Sequence, residues 1–225
     1  MKIRSVFCYL LVLPFLLADM QTAKATLITF DMNYEFSGGT PPESSTTPWI
    51  RATFDDGGSA GSVKLTMEAV NLTDAEHVKE WYFNYSGSAA ALSISLDSTN
   101  GVGIPISFQS ATQAYKADGD GRYNFYFDFA NSGADRFMQG ESIAYNITFS
   151  GLVAGDFEFL SLDEGGHGPF YSAAHVGGIG SNNAYSGWIA PVDGGTTPIP
   201  EPASMLLLSA GLLVLAGFGR KRLKK

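Results

Sequence analysis

The feature that most constrains the fold is a strict alternation of aromatic and polar side chains in residues 122–129, which read RYNFYFDF. Successive side chains of a β-strand point to opposite faces, so this pattern predicts a strand with one buried and one solvent-facing side. The predicted buried face consists of Tyr123, Phe125, Phe127 and Phe129, and the opposite face of Arg122, Asn124, Tyr126 and Asp128.

The same period of two recurs along the chain. It is clear in residues 142–149 and 63–69 and weaker in residues 27–34, 49–54, 80–85, 92–96, 104–108 and 157–162. Short strands bounded by Gly, Asn, Asp and Ser predict an all-β fold, an antiparallel β-sandwich over residues 26–190. Helix is scarce, although Thr73 and Glu76 have the spacing of a capping box and predict one or two helical turns as far as Lys79.

The predicted domain is acidic and has no thiol. Residues 26–200 contain 20 Asp and Glu against six Lys and Arg, a net charge of −14, whereas the whole 225-residue chain has −8. Phosphate backbones bind clusters of basic side chains, so a nucleic acid partner is not expected. The only cysteine, Cys8, precedes this domain. The domain is therefore predicted to fold without disulfides or thiolate metal ligands.

The N-terminus has the three parts of a secretory signal peptide. They are the basic residues Lys2 and Arg4, an apolar run at residues 6–17, and the A-x-A site formed by Ala23, Lys24 and Ala25. We expect signal peptidase to cut after Ala25 and to remove residues 1–25, Cys8 included.

The C-terminal segment predicts a single membrane crossing. Residues 191–199 have the composition of a linker, and residues 203–219 form an apolar run of the length of a short transmembrane helix. The basic tail that follows contains Arg220, Lys221, Arg222, Lys224 and Lys225. Basic tails stay in the cytoplasm, so the folded domain is expected on the opposite side of the inner membrane.

Between linker and helix lies the tripeptide Pro200-Glu201-Pro202. Its prolines prevent helix and keep the segment extended and accessible to a protease. The tripeptide is followed by the apolar helix and then by the basic cluster over residues 200–225. This arrangement resembles the PEP-CTERM sorting signal of Gram-negative bacteria. The resemblance implies recognition by exosortase through Pro200, Glu201 and Pro202. It also implies a single-pass inner-membrane intermediate, followed by release or transfer to the cell surface or extracellular matrix. A permanent membrane anchor is the alternative.

The body also resembles a group of small PEP-CTERM exoproteins, through residues 123–129, 151–157 and 173–180. Proteins with this signal accompany exopolysaccharide and biofilm formation, so the resemblance implies a non-enzymatic surface or matrix protein. One alternative is a carbohydrate-binding module whose exposed aromatic side chains stack on sugar rings. Its candidate platform consists of Tyr126, Tyr171 and Trp188, with Tyr82 and Tyr185 as further candidates.

Candidates for metal binding and catalysis are sparse. Glu164, His167 and His175 lie in a glycine-rich segment, residues 163–190. A packed loop is the expected structure there. The alternative is that these side chains form a metal site or a hydrolase pocket. Two acidic turns, Asp118-Gly119-Asp120-Gly121 and Asp55-Asp56-Gly57-Gly58, suit either Ca²⁺ or ordinary tight turns. No catalytic residue, cofactor or resident metal is predicted, with Ca²⁺ as the one alternative.

Overall fold

The computed structural model of the protein describes residues 25–38 and 43–192. The predicted cleavage residue Ala23, linker residues 193–199, sorting tripeptide 200–202, membrane helix 203–219 and basic tail 220–225 lie outside the described residues. Within the described residues, no helix combines the length and the apolar character that crossing a bilayer requires.

The described residues form two antiparallel sheets. The strands are β1 (Leu27–Met32), β2 (Tyr34–Ser37), β3 (Ile50–Asp55), β4 (Ser62–Ala69), β5 (His77–Phe83), β6 (Ser93–Asn100), β7 (Ser107–Ala117), β8 (Asp120–Asp128), β9 (Phe137–Met138), β10 (Ser142–Thr148), β11 (Ser172–Ile179) and β12 (Tyr185–Ala190). The first sheet has the order β1-β3-β4-β10-β6, and the second the order β2-β12-β11-β5-β8-β7, with β9 beside β5. The predicted all-β, antiparallel fold is confirmed.

An aromatic core lies between the two sheets. Phe83 of β5 meets Phe54 of β3 edge to face, with ring centroids 5.6 Å apart, and stacks on Phe125 of β8 at 5.4 Å. Phe157, in a short 3₁₀ helix (Ala154–Phe157), stacks on Phe54 at 4.3 Å. All four rings are fully buried. The alternating aromatic residues of the sequence therefore supply the contacts that join the sheets.

Two predicted elements are wrong. Residues 157–162 are not a strand, because Phe157 ends the 3₁₀ helix and the chain beyond it is irregular. No helix follows Thr73: the chain makes a turn with Asp74 at a φ of 50°, and β5 begins at His77. The Glu76 carboxylate does accept a hydrogen bond from the Thr73 backbone N–H at 2.7 Å. The capping contact is therefore present without the helix.

The glycine-rich segment 163–190 contributes two strands, β11 and β12, where a loop was expected. They pair with each other, and β11 also pairs with β5, so they lie inside the second sheet. Gly178 sits where β11 is irregular and adopts a φ of 74°. L-residues rarely adopt this conformation, which explains a glycine inside a strand.

A smaller cluster covers the outer face of the second sheet. It consists of Phe36, Tyr82, Ala117, Tyr123, Ala173, Trp188 and Ala190, with Tyr115, Tyr126 and Phe170 packed against it. Tyr123 was expected on the same face as Phe125, and that prediction is wrong. The alternation breaks at buried Asn124, whose side-chain carbonyl accepts a hydrogen bond from the Tyr85 backbone N–H beyond the end of β5. Tyr123 consequently joins Tyr82 on the outside.

Candidate functional site

Four polar and aromatic side chains form a continuous line across the outer face of the second sheet. In the strand register, Trp188 of β12 is opposite His175 of β11, His175 is opposite Glu80 of β5, and Glu80 is opposite Asp128 of β8. Directly opposed side chains in antiparallel pairs are close neighbours. We call Trp188, His175, Glu80 and Asp128 the outer row.

A β-bulge explains why Glu80 belongs to this row. β5 has one more residue than β11 at this point, because His175 pairs with Glu80 and Val176 pairs with Val78. Val78 and Trp81 point into the core between the sheets. The two residues between them, Lys79 and Glu80, are left on the outer side. Bulges commonly redirect side chains in this way.

The imidazole of His175 joins the aromatic and acidic parts of the row. Its ring stacks on Trp188 with centroids 4.4 Å apart and planes within 7°, and its Nδ1 lies 3.8 Å from Glu80 Oε2. The interaction with His175 lowers the pKa of Glu80, although burial of the carboxyl group opposes this effect. Glu80 is therefore a carboxylate at neutral pH and accepts hydrogen bonds.

The pKa of Asp128 is raised, whereas that of its neighbour Glu80 is lowered. Burial, followed by the charge of Glu80, raises the pKa of Asp128, and a 3.5 Å hydrogen bond from the Ser107 hydroxyl only partly offsets this. Adjacent carboxyl groups cannot both ionise freely, so the pKa of one rises when the other is charged. The row thus presents two adjacent carboxyl groups whose proton affinities are shifted in opposite directions.

Tyrosines flank the row. Tyr82 and Tyr126 are opposite each other in β5 and β8 and stack at 4.9 Å, while Tyr115 of β7 meets Tyr126 edge to face at 4.9 Å. Burial raises the pKa of Tyr82 and of Tyr126, so both phenols are neutral hydrogen-bond donors. Tyr82 is only 5% exposed and Trp188 9%, whereas Tyr126 is half-buried. Of these three rings, that of Tyr126 is therefore the most accessible.

The predicted platform is only partly brought together. Tyr126 and Trp188 lie on the outer face with Tyr82. The Tyr171 ring instead stacks on Phe30 of β1 at 5.7 Å and packs against the core between the sheets. Tyr185 is 58% exposed at the start of β12, outside the outer cluster.

A loop of residues 158–171, the covering loop, packs on part of the outer cluster. The ring centroid of Phe36 lies 4.9 Å from that of Phe170 and 6.0 Å from that of His167. The His167 backbone N–H donates to Asp120 Oδ2 at 2.9 Å. Glu164 accepts from Arg122 Nε at 2.8 Å and from Lys116 Nζ at 2.8 Å. These contacts fasten the loop to the β7–β8 hairpin.

The candidate metal ligands therefore have separate partners. Glu164 is engaged by Arg122 and Lys116, His167 packs on Phe36, and His175 stacks on Trp188. Across residues 25–38 and 43–192, no three His, Cys, Asp or Glu side chains are grouped in a way that could hold a metal ion.

The two acidic turns have structural roles. Asp118 and Gly119 have φ values of 52° and 79° and join β7 to β8, the conformation of a two-residue hairpin turn. In the other turn, buried Asp56 accepts hydrogen bonds from the backbone N–H groups of Thr26, Gly58 and Ala154. Burial would raise the pKa of Asp56, but these hydrogen bonds outweigh it and lower the pKa. These carboxylate oxygens are thus already occupied by protein donors.

Comparison with known families identifies the C-terminal segment. The description "PEP-CTERM protein-sorting motif" matches residues 198–222. The chain carries a PEP-CTERM sorting motif. The motif implies that the protein is exported and undergoes sorting by exosortase at the membrane. No curated protein and no solved structure matches the chain.

The outer row was not predicted from the sequence. Glu80, Asp128 and His175 are far apart in the chain, and only the pairing of β11 with β5 and of β5 with β8 brings them together. A signal did exist for Asp128, because the alternation of residues 122–129 places it on the same side as Tyr126.

Glu164→Gln is expected to loosen the covering loop. The substitution removes the charge that holds Lys116 and Arg122. These hydrogen bonds lower the pKa of Glu164 from 4.5 to about 2, so its stabilising effect is present above pH 4.5 and is lost as the pH falls towards 2. Hydrogen exchange at pH 7 should be faster in residues 158–171 of the variant, and the difference in Tm from the original protein should disappear between pH 4.5 and 2.

The matched control is Glu158→Gln, an exposed carboxylate at the start of the covering loop that forms no ion pair with a described residue. It should leave both measurements unchanged. Equal behaviour of the two variants would contradict the role assigned to Glu164.

Proposed function

We propose that this protein is a non-enzymatic component of the cell surface or extracellular matrix that associates with exopolysaccharide. The observation that carries the proposal is the PEP-CTERM sorting motif at residues 198–222 on a chain whose described part is an all-β domain. The strongly acidic body supports it, because a high net charge keeps a protein soluble.

The proposal is tested by fractionating the native host and a strain that makes no exopolysaccharide. We expect the protein in the polysaccharide-containing matrix or surface fraction of the host, and we expect it in the medium when the polysaccharide is missing. Recovery in the periplasm of both strains would contradict the proposal.

A second candidate function is carbohydrate binding at the outer face. The outer row favours it, because stacked aromatic rings beside carboxyl groups offer both a sugar-stacking surface and hydrogen-bond acceptors for hydroxyls. Tyr126 provides the accessible ring, and Glu80 and Asp128 provide the polar contacts. This arrangement suits a neutral glycan chain that lies across the strands.

Tyr126→Ala is expected to weaken retention on the host polysaccharide about tenfold or more, because aromatic anchors commonly dominate binding energy. Affinity electrophoresis measures the effect. Trp188→Ala should act in the same direction, and the half-buried Tyr126 is the safer substitution for folding. The control is Phe149→Ala, which removes an exposed ring just after β10 of the first sheet. Unchanged retention of both outer-face variants would contradict this second function.

A further inference from the structure

A polar pocket of about 250 Å³ opens at one end of the second sheet. Its walls come from the start of β5 (His77 and Lys79), the end of β11 (Gly177 and Gly178) and the start of β12 (Tyr185 and Ser186). Gly177 pairs with Ser186 and His77, two positions along from the outer row. The pocket therefore adjoins the outer face without containing any residue of the outer row.

The absence of a side chain at Gly177 leaves room for the Lys79 side chain to pack across β11. A Cβ atom there would lie 2.7 Å from Lys79 Cδ and 3.3 Å from His77 Cε1. Any side chain at this position would thus displace Lys79 from its place in the pocket wall.

The pocket has an unusual charge for this protein. The described residues contain six Lys and Arg, of which four form ion pairs: Arg51 with Asp31, Lys64 with Asp97, and Lys116 and Arg122 with Glu164. The other two, Lys79 and Arg136, have no carboxylate within ion-pair distance among the described residues. Arg136 donates instead to the backbone carbonyls of Gly133 and Ala75.

Both of these cations act on His77, a pocket residue that is only 5% exposed. Burial lowers the pKa of His77, and the charges of Arg136 and Lys79 lower it further. Hydrogen bonding to the backbone of Ala75 and Asn131 opposes this shift. Its Nδ1 lies 2.9 Å from the Ala75 carbonyl oxygen. Lys79 is the one residue with a formal positive charge among the described residues that line the pocket. Glu80, the acid next to Lys79 in sequence, faces His175.

The rest of the lining suits a sugar. The side chains of Asn131, Asn183 and Ser186 can donate to and accept from hydroxyl groups. Tyr185, 58% exposed, offers a ring on which a pyranose can stack. We propose that this pocket binds one uronate unit, a sugar ring bearing a carboxylate, of an acidic polysaccharide. The Lys79 ammonium binds the carboxylate, and this inference rests on the proposed association with exopolysaccharide.

The pocket lies at the start of β12. Tyr185 at the pocket begins this strand and Ala190 ends it, and six residues of strand span roughly 17–20 Å.

The test is calorimetric titration of the purified exported protein with a glucuronate-containing oligosaccharide and with the same oligosaccharide after reduction of its carboxyl groups. We expect the acidic form to bind about tenfold or more tightly than the reduced form, because a charged hydrogen bond is lost. Lys79→Gln and Gly177→Ala should weaken binding of the acidic form about tenfold or more, and Tyr185→Ala, at an exposed position, should weaken binding of both forms.

Matched controls separate local from general effects. Lys64→Gln removes the same charge from β4, and Gly155→Ala adds a methyl group where no atom lies within 4 Å. Neither should change affinity. Equal affinity for the two oligosaccharides, or equal loss in Lys79→Gln and Lys64→Gln, would overturn the pocket assignment. No binding of either oligosaccharide by a protein that still fractionates with the matrix would overturn the pocket and leave the proposed function standing, whereas a periplasmic location would overturn the proposed function itself.

Discussion

Phe83→Ala is expected to lower the free energy of unfolding of the exported protein by about 3–5 kcal/mol, the usual cost of deleting a large buried ring. Phe83 is fully buried and contacts rings of both sheets, with Phe54 in the first and Trp81 and Phe125 in the second. Its loss leaves a cavity at the place where the sheets meet. Urea unfolding followed by tryptophan fluorescence measures the change, since Trp81 stacks on Phe83 at 5.7 Å.

Phe149→Ala is the matched control. This ring is 43% exposed just after β10, so its removal should change the free energy of unfolding by about 0.5 kcal/mol or less. A similar small loss for Phe83→Ala would contradict a core in which β5 and β3 pack through this ring.

Replacing Pro200, Glu201 and Pro202 together by alanine is expected to abolish sorting. Proline disfavours helix and alanine favours it, so the substitution is expected to let the apolar helix predicted at 203–219 extend into the recognition site. The protein should then accumulate in the inner-membrane fraction and be lost from the surface and medium. Immunoblotting of the fractions measures this all-or-none effect.

The control changes Thr196 and Thr197 to alanine. Both residues precede the matched motif, so sorting should continue normally. Normal surface delivery of the triple-alanine variant would contradict recognition through Pro200, Glu201 and Pro202.

The sequence was informative where strands alternate strictly and carry large side chains. β8 and β4 lie close to their predicted positions, because aromatic or aliphatic residues mark every second position. β11 gave no such signal, since its core-facing and outer positions include Ala173, Ala174, Gly177 and Gly178. Small side chains leave no hydrophobic period to detect, and the strand is stabilised by its two neighbours.

The candidate sites depended still more on pairings that are remote in sequence. Trp188 was singled out from its residue type, but its contact with His175, and the proximity of Glu80 to Asp128, follow from the registers of four strands. A shift of one residue would send each side chain to the other face. The bulge at Lys79 likewise places the Glu80 side chain on the outer face. The sequence around Lys79 does not by itself predict this bulge.

The most direct test is the intact mass of the exported protein, recovered from the surface and from the medium. We expect a species that begins at Thr26 and ends near Pro200, with or without an added group. That mass would mean that signal peptidase and the sorting machinery both act and that the β-domain is the delivered unit. A mass that still includes residues 203–225 would contradict this expectation and would indicate a permanently anchored inner-membrane protein.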